Sequence, residues 1–581
     1  MTWNRWGDVI IDCGRELDAP RQIVAGRMLY RDIRYPYGPA APYFNALLYR
    51  LFGIHVNVLT RAGLIVAALV AWLVYRVCRL LADRWVSCAA AVLFLYAGAF
   101  AQLYALNIYC FPLPYAFAAT YGMLAEMACL YFSLRCVQED RWLHRGMAAA
   151  TFAAALLCKI EVAYVVLVIQ ALFLLVMLKL GRLRLATTLL TLGTVCLFAA
   201  GVYGWFYWKV GPGLLSDNLL TSGNVAANSF TLRHSGLANP VQFVIELIVS
   251  LVGFFVMYLP LRLAVGRTLP ESKSSTRDPA ENPSWEIGTG VGVGLIAIAV
   301  AIAINPYRYF RALPLLLLLG AIWNWGRFAR GTEPAARSAC TFILFGTALQ
   351  SVTRIFFRCG AEHYGFYLMT PAIAAFAIFW PRELAARSAA GGSAGTRIAA
   401  SASTVLLLGL AGSHAVATMK MSRDWYGGAQ TRRVTTPFGT MAINRSYGET
   451  LRQSIEYLAT KPPGRSIVVW PEGAAITFLA GGINPLGMFT FLPLDFCGSY
   501  DEPSVVSRLD VAAPEFIVVV ARDTKEYDKE GFGVDFATDL VRWCSAHYRV
   551  EKTIAGGTYA VRVLARSTGL PATTAPPASA P

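Results

Sequence analysis

The run Leu64-Ile-Val-Ala-Ala-Leu-Val-Ala-Trp-Leu-Val-Tyr75 ends in a cluster of Arg76, Arg79 and Arg84. An apolar stretch closed by arginines is the pattern of a helix that enters a bilayer and stops at a charged face. The pattern recurs. Apolar runs lie near 64–82, 85–104, 112–134, 146–158, 162–178, 185–207, 241–264, 287–304, 309–326, 338–353, 366–380 and 398–417, about twelve spans in all. The composition agrees: 581 residues, 56% hydrophobic, 15% charged, mean hydropathy +0.49, where soluble domains carry about 25% charged residues. The chain reads as a polytopic α-helical membrane protein.

Loop charge sets the expected orientation. Alternate loops hold Arg76, Arg79 and Arg84; Arg135, Arg141 and Arg145; Lys179, Arg182 and Arg184; Arg262, Arg267, Lys273 and Arg277; Arg327, Arg330 and Arg337; and Arg382, Arg387 and Arg397. The intervening loops hold only Lys159, Lys209, Arg233, Arg308, Arg311, Arg354 and Arg358. The first set marks the cytoplasmic side, so the first loop and the C-terminal region are expected outside. The net charge of +16 follows from this bias, and with no nucleic-acid motif or soluble basic domain a nucleic-acid partner is excluded. The 12 cysteines are scattered without CxxC or CxxH spacing, which argues against a cysteine-based zinc site. An outside first loop also needs something to carry it there. The expectation is a start further upstream, with an additional transmembrane helix. An in-frame apolar segment in the upstream genomic sequence would confirm it.

The first loop carries Asp12-Cys-Gly-Arg-Glu16 and Gly26-Arg-Met-Leu-Tyr-Arg-Asp-Ile-Arg-Tyr-Pro-Tyr-Gly-Pro39. Acids and arginines beside a bilayer are costly or functional, which makes this loop the leading site candidate. Pro36, Pro39 and Pro42 precede a stretch in which Phe44, Leu47, Leu48 and Leu51 recur at helical spacing, the pattern of an amphipathic helix in the membrane interface. After residue 420 the spans stop. Ser466–Trp470, Glu515–Val520 and Tyr559–Leu564 read as strands and Tyr447–Thr460 and Asp535–His547 as helices, which gives a small α/β domain. The expected divisions are residues 1–63, a catalytic first loop with interfacial helices; 64–420, the transmembrane domain; 421–566, an extracytoplasmic α/β domain; and 567–581, a disordered tail rich in Pro, Ala and Thr.

The set Asp12-x-Gly-Arg-Glu16, Gly26-x-x-Leu-Tyr-Arg-Asp32, Tyr37-Gly-Pro39 and Leu51-Phe-Gly53 resembles the first outer loop of bacterial GT-C glycosyltransferases. The nearest kin in this resemblance are the dolichyl-phosphate-mannose–protein mannosyltransferase-like and aminoarabinose-transferase-like enzymes. Lys159-Ile-Glu161, Asn305-Pro-Tyr-Arg308, His363-Tyr364 with Pro371, Trp470-Pro-Glu-Gly473 and Asn484-Pro485 extend it over essentially the whole chain. The resemblance implies an enzyme of the cytoplasmic (inner) membrane. It would move a hexosyl or pentosyl unit from a polyprenyl-phosphate-linked donor to a lipid, glycan or protein acceptor at the outer face. No cofactor is implied with certainty, and a divalent metal is left open. Asp12 matches the family's first-loop base. The second acid of the family's Asp-Glu pair is replaced here by Cys13, and Glu16 stands in as the second catalytic candidate.

Such a transfer needs a carboxylate near the acceptor hydroxyl, cations for the leaving phosphate and an apolar groove for the carrier. Asp12 is the expected base; its bland alternative is a helix cap or a partner for Arg15. Arg15, Asp32, Tyr37, Lys159, Glu161, Arg308, Arg311, Arg358, His363 and Tyr364 are the expected substrate-binding residues, with Arg354 a further phosphate candidate. Ion pairing of Glu16 and Asp32 with Arg15, Arg31 or Arg34, of Lys159 with Glu161, and headgroup anchoring by the loop arginines are the competing readings. Tyr104, Tyr109 and Tyr115 read as an interface belt. Two other functions compete: a transporter or flippase of lipid-linked glycans, which calls for mid-span charge, and a non-catalytic envelope-assembly protein.

Overall fold

The computed structural model describes residues 3–102, 106–219, 232–233, 239–267, 284–304, 309–331, 333–360, 363–387, 392–427, 432–444, 446–556 and 560–567. Every one of the twelve apolar segments falls on a helix. In chain order the helices are α1 (Cys13–Val24), α2 (Ala40–Phe52), α3 (Val56–Arg79), α4 (Arg84–Phe94, continued by a π turn to Ala99), α5 (Phe117–Glu139), α6 (Trp142–Leu156), α7 (Ile160–Lys179), α8 (Leu185–Val210), α9 (Pro212–Leu219), α10 (Pro240–Arg267), α11 (Ser284–Ile304), α12 (Leu313–Arg330), α13 (Ala335–Val352), α14 (Met369–Arg387) and α15 (Gly392–Tyr426). Among the described residues, eight helices are long and apolar enough to cross a membrane unaided.

Local signals fix the ends. Asp83 accepts hydrogen bonds from the Trp85 and Val86 amides and so starts α4, while Arg76 and Arg79 sit in the last turn of α3, where cations oppose the helix dipole. Helix α5 lies inside the bundle; helices such as α3, α8 and α12 turn Ile65, Trp72, Leu190, Leu197, Leu319 and Trp323 outward. An apolar outer surface on satisfied helices is what hydrocarbon solvates.

The C-terminal sheet has the order β3-β4-β6-β5, from β3 (Ile467–Trp470), β4 (Phe516–Val520), β5 (Tyr548–Ile554) and β6 (Val561–Arg566); β3 and β4 are parallel and the other pairs antiparallel. A separate hairpin joins β1 (Arg432–Thr436) to β2 (Gly439–Ile443). Helices α16 (Gly448–Ala459), α17 (Ala474–Leu479), α18 (Glu502–Ala512) and α19 (Thr538–His547) complete this part. The expected strands at 466–470, 515–520 and 559–564 appear with small shifts. Strand β5, the hairpin and α18 were not foreseen, because their residues are mixed polar and apolar and present no continuous apolar run. Helix α15 continues to Tyr426, past the expected boundary at 421. The tail lies outside the described residues.

The first loop and the C-terminal sheet share one core. Val9, Ile10, Cys13 and Leu17 pack with Ile467, Val469, Ile476 and Phe478. Arginines make the union specific. Arg21 donates to the Gly482 carbonyl at 2.6 Å, Arg27 to those of Asn484 and Pro485 at 2.8 Å each, and Arg34 to that of Asp495 at 2.6 Å. Asp8 is buried and accepts from the Tyr447 hydroxyl at 2.6 Å. Helix α2 buries Asn45 yet exposes Phe44, Leu47, Leu51 and Phe52, an inverted amphipathic face that suits a headgroup–acyl boundary.

Candidate active site

Helix α1 starts at Asp12, whose backbone is strained at φ +53°, ψ −36°. A non-glycine residue held there costs of order 1–3 kcal/mol and persists only where its surroundings demand it. Two close approaches supply the demand. A Cβ on Gly14 would run into the backbone of Ala474 and Ala475 at the start of α17, so α1 is pressed against the C-terminal domain. A Cβ on Gly38 would strike the Leu157 carbonyl; instead the Gly38 amide donates to the Cys158 carbonyl at 2.8 Å and the Ala40 amide to that of Leu157 at 3.0 Å. The Tyr37-Gly-Pro39 motif is thereby docked on the residues just before Lys159.

Asp12 makes no side-chain cap bond. It pairs with Arg15 Nη1 at 2.9 Å and stays partly accessible. Arg15 spends its other donors on Glu16 Oε1 at 3.1 Å and on the Tyr115 carbonyl at 2.7 Å. Glu16 is buried; it also accepts from the Phe117 amide at 2.8 Å and from the Tyr35 hydroxyl. Both Glu16 oxygens are met by donors, and through them Glu16 holds Arg15.

Below Arg15 lies a floor of tyrosines. Lys159 is buried, donates to the Tyr115 hydroxyl at 2.8 Å and sits over the rings of Tyr37, Tyr115 and Tyr367 at 4.9, 4.9 and 5.2 Å. Burial, together with the Arg354 and Arg15 guanidiniums, holds its ammonium well below the ordinary lysine range. Burial pushes the Tyr37 phenol up to about 12, so it stays neutral. Tyr115 donates onward to the Tyr364 carbonyl at 2.9 Å. Glu161 lies 3.7 Å from Lys159 and is paired with Arg354, on the short turn that ends α13. Arg354 and Glu161 head a cleft of about 390 Å³ whose other walls include Ile160, Tyr164, Val165 and Leu368. Asp12 and Arg354 both act electrostatically on Tyr37 and Tyr115, so acid and cation share the neighbourhood of these two rings.

The other expected residues are placed elsewhere or differently. Asp32 closes a turn, accepting from the Met28 amide at 2.8 Å and from Arg31; burial opposes its ionisation, but Arg31 and that amide hold it below the usual carboxylate range. Arg311 pairs with Glu246 on α10. Arg358 donates to the Arg233 carbonyl at 3.4 Å. His363 Nδ1 accepts from the Gly365 amide at 3.1 Å, and Tyr364 enters through its carbonyl and ring, 5.1 Å from the rings of Tyr109 and Tyr115. Arg308, Tyr104 and Glu362 lie outside the described residues. Sequence reasoning missed Tyr35 and Tyr367, and did not give Tyr115 its place under Lys159; no local spacing links these residues.

No family model matches the chain, and no curated protein matches it. Among solved structures it is similar to the oligosaccharyltransferase AglB of Archaeoglobus fulgidus in complex with an inhibitory peptide and a dolichol-phosphate, at 14% identity and a TM-score of 0.47, over 99% of this chain and 72% of that one. It is also similar to ArnT of Cupriavidus metallidurans bound to undecaprenyl phosphate, at 13% identity and a TM-score of 0.41, over 97% of this chain and 95% of that one. These solved neighbours are GT-C membrane glycosyltransferases. A third structure, the Archaeoglobus enzyme with Zn and sulfate, aligns at 14% identity and a TM-score of 0.42 over 96% of this chain and 70% of that one. At such identities the roles of individual residues come from the geometry of this chain alone. A divalent cation of the calcium or magnesium kind wants several oxygen ligands together. Asp12, Glu16 and Glu161 are each committed to a cation, and among the described residues no three His, Cys, Asp or Glu side chains gather as a metal site. The described residues do not fit a metal, and no step is routed through one.

Proposed function

We propose that the chain is a GT-C-type glycosyltransferase that moves a sugar from a polyprenyl-phosphate carrier to a lipid, glycan or protein acceptor at the extracytoplasmic face of the cytoplasmic membrane. The observation that carries this reading is that a partly accessible carboxylate, Asp12, and a cleft headed by the Arg354 guanidinium lie beside the same two tyrosines, Tyr37 and Tyr115. A polyprenyl phosphate, the lipid class bound in the AglB and ArnT structures, suits such a cleft: its phosphate meets Arg354, and its tail lies along Ile160, Tyr164 and Leu368. The excess of basic loops on the opposite side supports the orientation.

In this mechanism Asp12 accepts the proton of the acceptor hydroxyl as that oxygen bonds to the anomeric carbon. The bond from that carbon to the phosphate oxygen breaks, and the carrier leaves as its phosphate. Arg354 stabilises the negative charge on the leaving group, a charge-assisted contact. Arg15, oriented by Glu16 and the Tyr115 carbonyl, fixes the base. A reconstituted assay with purified full-length protein and a synthetic polyprenyl-phosphate sugar tests the proposal: transfer is expected, and movement of intact carrier lipid across the bilayer without transfer would replace it with the flippase reading.

Arg354→Gln removes one charge-assisted contact to the donor, so the donor KM is expected to rise by about 10- to 100-fold with the protein still folded. An unchanged KM would take Arg354 out of the site. Lys159 supplies a pH signature. Its folded-state pKa is depressed, so it loses its charge at a lower pH than the ordinary lysine value of 10.5, and positive charge under the donor falls as pH rises. Donor kcat/KM is expected to decline as pH rises, at a lower pH than an ordinary lysine would give. In Lys159→Arg, which stays charged, the decline is expected to disappear; an identical profile in both proteins would clear Lys159 of the effect.

A further inference from the structure

A second cleft, of about 430 Å³, lies among α10, α12, α13 and α14. Its relation to the candidate site follows from α13: Thr341 lines this cleft and Arg354 heads the other, so the two are separated by about 20 Å of helical rise. The walls are apolar and aromatic, with Phe254, Leu316 and Phe376 among them. The end nearest Thr341 is polar and charged. Arg327 and Arg382 line that end and both pair with the carboxylate of Glu333; Arg337, which donates to the Leu81 carbonyl at 3.1 Å, adds its charge to the surroundings of Arg382. The Glu383 carboxylate accepts from the Tyr258 hydroxyl at 2.7 Å. Among the described residues of this cluster three guanidiniums stand against two carboxylates, a positive excess beside an apolar slot. Basic pockets of this kind between transmembrane helices recognise anionic lipid headgroups.

We propose that this cleft holds one anionic glycerophospholipid of the leaflet opposite the candidate active site, with its phosphate at Arg327 and Arg382 and an acyl chain between Phe254, Leu316 and Phe376. The polyprenyl donor does not fit this role: its phosphate here would lie about 20 Å along α13 from Arg354. The site is independent of the transfer reading, and its test uses no activity.

The test is native mass spectrometry of the purified full chain, released from detergent with phosphatidylglycerol and phosphatidylcholine added in equal amounts. One phosphatidylglycerol is expected to be retained in preference to phosphatidylcholine. Arg327→Gln is expected to lower that preference by about fivefold, the worth of one arginine near a membrane phosphate. Leu316→Trp, which fills the slot and leaves the charges alone, is expected to abolish retention of both lipids; it decides the matter should the arginine variant fail to fold. Equal retention of the two lipids by the native chain would overturn the proposal. So would unchanged retention in Leu316→Trp, or displacement of phosphatidylglycerol by polyprenyl phosphate in the native chain but not in the variants, which would assign the cleft to the carrier.

Discussion

An Asp12→Asn chain is expected to transfer sugar about 100- to 10,000-fold more slowly than the native chain, the usual cost of losing a positioned general base. The substitution is close to isosteric. An Asn oxygen can still accept from Arg15, which Asp12 meets at 2.9 Å, so the strained start of α1 and the tyrosine floor are kept. What goes is the ability to take a proton. The loss therefore falls on kcat, with the donor KM nearly unchanged, because Arg354 and its cleft are untouched. Steady-state kinetics with a synthetic donor measure both. Native kcat in this variant would remove Asp12 as base.

The largest effect on stability is expected from Arg522→Met. Glu472 is buried beside β3 and is paired with Arg522, whose side chain is buried and whose guanidinium also pairs with the half-exposed Glu526. Removing one partner of a buried pair leaves an uncompensated charge and costs about 3–5 kcal/mol. The C-terminal part should then lose its denaturation midpoint and become sensitive to protease while the membrane helices persist. The double variant Glu472→Gln with Arg522→Met should recover most of the loss, since it leaves no buried charge. Equal damage in the single and double variants would show that Arg522 acts through packing and not through Glu472.

The membrane architecture was legible because its signal is local: each of the twelve apolar runs carries a helix over its described residues, and Arg79, Arg330 and Arg387 stand at helix ends. The site was legible in part. Asp12, Arg15 and Lys159-Ile-Glu161 stood out as charge where charge is costly, and the structure brings them together. For Glu16 a catalytic role and an ion pair with Arg15 were both open; the pair is present, while the Phe117 amide and the Tyr35 hydroxyl that also meet it have no trace in the local sequence. Tyr115 was read as part of an interface belt, since nothing in Phe111-Pro-Leu-Pro-Tyr115 reveals Lys159 above its ring. Arg34 was weighed only as an ion-pair partner for the first-loop acids, and Arg27 was given no role. Their partners are carbonyls at 484, 485 and 495, hundreds of residues away, and only the fold supplies them.

Those arginine contacts bear on how such a chain can change. Arg21, Arg27 and Arg34 grip main-chain oxygens of Gly482, Asn484, Pro485 and Asp495, so the segment is held chiefly by the path of its backbone, with the Arg34–Asp495 ion pair at 3.8 Å beside it. A substitution at Pro485 is expected to be absorbed, whereas a side chain at Gly487 would strike the Asp32 carbonyl and a one-residue insertion would carry the carbonyls out of reach. The C-terminal domain is free to diverge on its other surfaces and still seat on the same start of α1, an arrangement in which the covering piece is exchangeable and the seat beneath it is not.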